Sequence, residues 1–83
     1  MEFKEIIESE GVVRFLKRKQ MIKSYLKAKY FLEKGFLQNV DFKIRQPKQA
    51  GIYYFRINKQ YRALGKVENG ILKVFEISDH QNR

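Results

Sequence analysis

The sequence contains no cysteine, a single histidine and a single proline. Without cysteine the chain can form neither a disulfide framework nor a thiolate metal site, so folding in a reducing compartment is permitted. One histidine, His80, is too few for a histidine-based metal centre. We therefore expect no bound metal and no small-molecule cofactor.

Long apolar runs are also missing. No run approaches the roughly 18 residues that a membrane-spanning helix requires. The N-terminal segment MEFKEIIESEG is acidic, whereas a signal peptide would be basic. The sequence therefore predicts a cytoplasmic protein with no membrane partner.

Positive charge is abundant, and it is concentrated in the middle of the chain. The 83 residues carry a formal net charge of +9, but residues 11–66 alone carry +13, because both ends are acidic. Such a field attracts polyanions and supports salt-sensitive binding to phosphates of any base sequence. The simpler alternative is a solvated surface that keeps a small protein soluble.

Apolar residues recur every three or four positions between residues 12 and 32, which predicts helix. Ser9 is placed to cap its start and Gly35 to end it. The crowded KRK segment favours a break near Lys19-Gln20, giving two helices in a hairpin rather than one long helix. Residues 2–8 fit either a strand or a helix.

The second half of the chain changes to a period of two. After the short extended segment VDFKIR and the loop QPKQAG, the segments IYYFRI, YRALGKV and ILKVFEIS predict three strands joined by tight turns. We expect a single domain, residues 1–83, with an α+β fold. In this fold an N-terminal helical hairpin packs on a small antiparallel sheet, and the last three strands form a meander.

The segment YFRINKQYR places two arginines symmetrically about a turn. A three-residue loop, Asn58–Gln60, sets Arg56 directly opposite Arg62 on neighbouring strands. Like charges in this position are destabilising by up to about 1 kcal/mol. Glu76 could neutralise one arginine, or a phosphate could bridge both. Alternatively, both arginines extend into water and Glu76 is a structural partner.

The register of the second hairpin decides where Glu76 lies. A two-residue Asn69-Gly70 loop would put this carboxylate in the buried row, where an unpaired charge costs several kcal/mol. A three-residue loop is therefore predicted. It places Phe75 in the core, and it places Val74 and Glu76 on the outer face with the arginines. His80 has the same parity as Glu76 and titrates near physiological pH.

The segments GIYYFRINKQYRALG and VFEISDHQ resemble the C-terminal half of the RelE/ParE toxin superfamily, the small toxins of bacterial type II toxin–antitoxin pairs. The shared pattern is a glycine, a strand with an arginine, a tight turn, a Tyr-Arg pair and a closing I-x-D-H. RIN-x-QYR is especially similar to the HigB branch. The resemblance covers residues 42–81 and implies a metal-independent endoribonuclease that cleaves mRNA, commonly on the ribosome.

The resemblance also implies roles for individual residues. Arg62 would hold the scissile phosphate, Arg56 would share its charge, and His80 would act as acid or base. Glu76 is a possible base, although orienting Arg62 suits it better. The residues expected to contact the RNA backbone or bases are Lys43, Arg45, Lys48, Lys59 and Tyr54.

Two other functions fit the same residues. A toxin of the ParE type would bind DNA gyrase and do no RNA chemistry, and a basic nucleic-acid-binding module would do no chemistry at all. Either kind of toxin implies an acidic antitoxin that covers the basic surface of the chain.

Overall fold

Two helices pack on one face of a five-stranded sheet in the computed structural model, which describes residues 2–79. The predicted α+β fold, with its helical hairpin and its three-strand meander, is confirmed. The sheet has the strand order β1-β5-β4-β3-β2. The elements are β1 (Glu5–Glu8), α1 (Glu10–Arg18), α2 (Ile22–Glu33), a first 3₁₀ turn (Leu37–Val40), β2 (Lys43–Ile44), a second 3₁₀ turn (Lys48–Ala50), β3 (Ile52–Arg56), β4 (Tyr61–Glu68) and β5 (Ile71–Asp79).

The N-terminal segment, residues 2–8, fits either a strand or a helix by its sequence. It is a strand, and it runs parallel to β5, from the pair Glu5 and Ile71 to the pair Glu8 and Val74. The sheet is therefore mixed rather than purely antiparallel. A parallel pair requires a long connection, and here most of the chain, including both helices, lies between the two strands.

Local signals define both helices. The Ser9 hydroxyl accepts a hydrogen bond from the Val12 N–H at 3.2 Å and so caps α1. Gln20 adopts a φ of 58° between the helices, and Gly35 adopts a φ of 80° after α2. Because these left-handed conformations interrupt the helical backbone, the predicted break and the predicted stop are both confirmed.

The core lies between the helices and one face of the sheet. Tyr25 of α2 is buried there against Phe55, and its hydroxyl donates to the Glu8 carboxylate at 2.7 Å. Lys29 donates to the same carboxylate oxygen at 2.8 Å. The buried apolar cluster consists of Ile6, Val12, Leu16, Met21, Tyr25, Ala28, Leu32, Val40, Phe55, Ala63, Leu72 and Val74.

The turn between β4 and β5 differs from the prediction. It is a two-residue loop, Asn69-Gly70, in which both residues have positive φ. A β-bulge follows between Leu64 and Gly65, so the register shifts partway along the hairpin. The three-residue loop was wrong because the burial argument assumed an unbroken ladder. An inserted residue achieves the same purpose, keeping Glu76 out of the core.

The bulge reassigns three side chains of β5. Val74 is buried at 1% exposure, whereas Phe75 is 41% exposed, so their predicted places in and out of the core were reversed. Glu76 pairs with Leu64, and Ser78 occupies the position opposite Arg62. The prediction that Glu76 lies in one row with Arg56 and Arg62 was therefore wrong.

Candidate nucleic-acid site

The hairpin between β3 and β4 places the two arginines opposite each other. Asn58 shapes its loop by accepting hydrogen bonds from the N–H groups of Gln60, at 2.9 Å, and Tyr61, at 2.8 Å. The Ile57 N–H donates to the Tyr61 carbonyl at 3.0 Å and closes the ladder. The predicted pairing of Arg56 with Arg62 is confirmed.

The arginine pair lies in the register that brings facing side chains closest. Hydrogen-bonded and non-hydrogen-bonded pairs alternate along an antiparallel ladder. Because Ile57 and Tyr61 form the hydrogen-bonded closing pair, Arg56 and Arg62 form the next, non-hydrogen-bonded pair. Each guanidinium group therefore needs its own compensation.

Asp41 compensates Arg56. The Arg56 Nη1 lies 3.6 Å from the Asp41 Oδ2, and both side chains are about half exposed. Asp41 follows the first 3₁₀ turn in a left-handed conformation, with a φ of 52°. A long, solvated ion pair of this kind contributes at most about 1 kcal/mol, so it holds Arg56 only weakly. Glu76 was expected to neutralise one of the arginines, but the carboxylate that pairs with Arg56 is that of Asp41.

Tyr54 supports Arg62. The Arg62 Cζ lies 4.7 Å from the centroid of the Tyr54 ring, a cation–π contact. The Arg62 Nε is buried, and it makes no hydrogen bond within residues 2–79. An unsatisfied buried donor of this kind costs about 1–3 kcal/mol. The expected role of Tyr54 as a base-stacking ring is untested, and one face of that ring contacts Arg62.

The remaining predicted residues fall into separate groups. Lys43 on β2 pairs with Tyr54, in the row that continues through Leu64 to Glu76. Glu76 is thus a diagonal neighbour of Arg62, at a typical separation of about 7 Å. Three further cations are exposed on the β2–β3 connection and on the hairpin tip, namely Arg45, Lys48 and Lys59. His80 lies outside the described residues.

The part of the chain from residue 2 to residue 79 offers neither a metal-binding cluster nor a membrane-spanning helix. No group of three or more His, Cys, Asp or Glu side chains there could hold a metal ion. No helix in that part is long and apolar enough to cross a membrane. The site offers the guanidinium groups of Arg56 and Arg62, the Tyr54 ring that supports Arg62, and the Asp41 carboxylate beside Arg56.

Neither a protein-family model nor a curated protein matches this sequence. Its function has to be inferred from the arrangement of its own side chains. The sequence had identified Arg56, Arg62 and Tyr54, but it had missed Asp41. The sequence signal that could have identified Asp41 is its acidity within the positively charged middle of the chain. Glu33 is the only other acidic residue in residues 11–66.

Proposed function

We propose that this protein is a metal-independent endoribonuclease, the toxin of a type II toxin–antitoxin pair in the RelE/ParE superfamily. The observation that carries the proposal is the Arg56–Arg62 pair on the sheet face that the helices leave open. Two adjacent guanidinium groups suit a phosphodiester that gains negative charge during the reaction.

The reaction is an intramolecular transfer within single-stranded RNA. The ribose 2′-oxygen loses its proton and attacks the adjacent phosphorus while the bond to the 5′-oxygen breaks. The products are a 2′,3′-cyclic phosphate and a 5′-hydroxyl, whose oxygen receives a proton. Arg62 holds the non-bridging oxygens, and Arg56 exchanges the Asp41 carboxylate for the phosphate as charge develops.

Proton transfer is assigned to His80, which follows directly after β5 in the sequence. An imidazole titrates near neutral pH, so it can take or give a proton under cellular conditions. Glu76 supports Arg62 from its diagonal position on the same face, or serves as the base. Both assignments are predictions from the sequence pattern.

The substrate is mRNA, bound through its phosphates and engaged on the ribosome. Lys43, Arg45 and Lys48 extend the positive surface away from the arginine pair along β2 and the loop after it. A second partner is an acidic antitoxin, because the net charge of +13 over residues 11–66 favours a negatively charged chain.

The test is cleavage of a defined RNA, free and ribosome-bound, with analysis of the product ends. Wild-type protein should yield 2′,3′-cyclic phosphates, and a 2′-deoxy substitution at the cut site should block the reaction. Arg62→Ala and His80→Ala should each reduce the rate by about a hundredfold or more. Arg14→Ala is the matched control, because it removes an exposed arginine of α1.

Full activity of Arg62→Ala, or cleavage of the 2′-deoxy strand, would contradict the proposal. Growth arrest with intact transcripts, accompanied by gyrase-dependent linear DNA, would instead identify the gyrase-directed alternative. Binding that weakens steadily with salt, with no cleavage of either RNA, would identify a non-catalytic binding module.

A further inference from the structure

A cleft of about 490 Å³ opens between α2, the first 3₁₀ turn and the β3–β4 hairpin. The α2 residues that line it share one helix face, since they are spaced by three and four positions: Ser24, Lys27, Ala28 and Phe31. The hairpin contributes Arg56 and Lys59 from the opposite side. Its volume is within the range of sites that hold small organic ligands.

The cleft exists because β2 is so short. Its two residues pair only with Tyr53 and Tyr54, so within residues 2–79 the edge of β3 that faces away from β4 is unpaired after Tyr54. Arg56 pairs with β4 in the non-hydrogen-bonded register. Its own N–H and C=O groups therefore point towards the open edge, where a ligand can meet them.

The lining combines an apolar floor with a cationic rim. Ala28 and Val40 are buried at the bottom, and the Phe31 and Ile57 side chains are partly buried beside them. Three cations line the rim, namely Lys27, Arg56 and Lys59. No carboxylate is among the lining residues. An apolar surface beside positive charge suits a nucleotide, whose base is flat and apolar on its faces and whose phosphate is anionic.

Arg56 connects this cleft to the arginine pair. It lies opposite Arg62 on the sheet, yet it also lines the cleft on the side of the helices. The mouth of the cleft is therefore next to the arginine pair.

We infer that the cleft is a nucleotide subsite, which holds the RNA residue next to the scissile phosphate. Lys27 and Lys59 bind the phosphate of that nucleotide, and its base lies on Phe31 and Ile57. The inference rests on the proposed function and adds a second contact region for the substrate. It also gives a role to Lys27, which the sequence pattern does not single out.

The test is the binding of an uncleavable RNA trinucleotide, with a 2′-deoxy sugar at the cut site, measured by fluorescence anisotropy at several salt concentrations. Lys27→Ala and Lys59→Ala should each weaken binding about fivefold and lower the salt dependence by about 0.7 in log Kd against log salt. Lys23→Ala is the matched control, since Lys23 is exposed on α2 and does not line the cleft.

Truncated RNAs identify the nucleotide. Removing the terminal nucleotide on one side of the cut site should abolish the difference between Lys27→Ala and wild type, and removing the other should preserve it. Amide chemical shifts of Phe31 and Ile57 should move with the full trinucleotide and not with inorganic phosphate.

The outcomes separate this inference from the proposed function. Cleft variants that bind like Lys23→Ala, in a protein whose cleavage still depends on Arg62, would refute the subsite and leave the nuclease intact. Cleavage that does not depend on Arg62 would refute the proposed nuclease itself. Cleft variants that bind an acidic peptide more weakly, but bind RNA normally, would reassign the cleft to a protein partner and overturn the subsite.

Discussion

The Arg62 guanidinium lies over the ring of Tyr54, 4.7 Å from its centroid, on the sheet face opposite the helices. The two residues are on adjacent strands, at diagonal positions of one face. The aromatic ring attracts the guanidinium and restricts its motion, which leaves the N–H groups to a ligand. The position of the predicted phosphate contact is thus set by a tyrosine rather than by a carboxylate.

Replacing the tyrosine tests this support. We expect Tyr54→Leu to lower kcat/KM for RNA cleavage about fivefold, because the cation–π contact contributes about 1 kcal/mol. Tyr54→Phe keeps the ring and should remain within about twofold of wild type on the same grounds. Steady-state cleavage of a short RNA provides the measurement. Equal loss in both variants would assign the effect to the hydroxyl and contradict the support by the ring.

Asp41 restrains the other arginine, so its removal should favour RNA. We expect Asp41→Asn to tighten RNA binding about threefold, because Arg56 then has no carboxylate competing with phosphate. Asparagine is chosen because it tolerates the left-handed backbone at this position. The unfolding free energy should change by less than about 1 kcal/mol, as for an exposed ion pair.

A charge-matched control separates this contact from the general field. Glu10→Gln also raises the net charge by one, but Glu10 is on α1 and pairs with Arg14. Equilibrium binding at fixed salt should show a smaller gain for Glu10→Gln than for Asp41→Asn. Equal gains would mean that only the total charge matters.

The Tyr25–Glu8–Lys29 bridge predicts how stability depends on pH. Burial, together with the neighbouring Glu8 carboxylate, raises the pKa of Tyr25 far above its ordinary value. A raised pKa in the folded state stabilises the fold below the ordinary tyrosine pKa of about 10, and this stability is lost as pH rises further. The unfolding free energy should fall above pH 10 by up to about 1.4 kcal/mol per unit.

Urea unfolding from pH 8 to pH 11 measures this contribution. The unfolding free energy of Tyr25→Phe should be about 1–2 kcal/mol lower than that of wild type at pH 8, because the variant lacks the hydrogen bond to Glu8. It should also decline less steeply above pH 10. Tyr30→Phe is the control, since Tyr30 is 52% exposed and should keep the wild-type slope. Parallel declines in all three proteins would exclude Tyr25 as the cause.

The sequence predicted those features that depend on neighbouring residues. Helix limits followed from Ser9 and Gly35, and the pairing of Arg56 with Arg62 followed from a three-residue loop centred on Lys59. Each depends on interactions within a few positions of the chain. Local chemistry was therefore sufficient for the half of the site that lies on one hairpin.

Features that join distant segments were not predictable in the same way. The parallel pairing of β1 with β5 and the ion pair of Asp41 with Arg56 depend on how the elements pack.

The β-bulge in β5 did leave one signal in the sequence, Gly65. A Cβ on Gly65 would lie 2.9 Å from the Lys73 carbonyl oxygen, so only glycine fits this close approach of two strands.

The register of β5 can be tested directly by two truncations. Val74 is 1% exposed and Phe75 is 41% exposed, on either side of the same strand. We expect Val74→Ala to lower the unfolding free energy by about 2 kcal/mol, through lost burial and a residual cavity. Phe75→Ala should cost about 1 kcal/mol or less, because a large part of that ring is already in water.

The unbroken three-residue-loop register makes the opposite prediction. It places Phe75 in the core, where truncation to alanine costs about 3–5 kcal/mol, and it leaves Val74 nearly neutral. Chemical denaturation of the two variants therefore distinguishes a bulged from an unbroken ladder. The difference also bears on the site, because only the bulge sets Ser78 rather than Glu76 directly opposite Arg62.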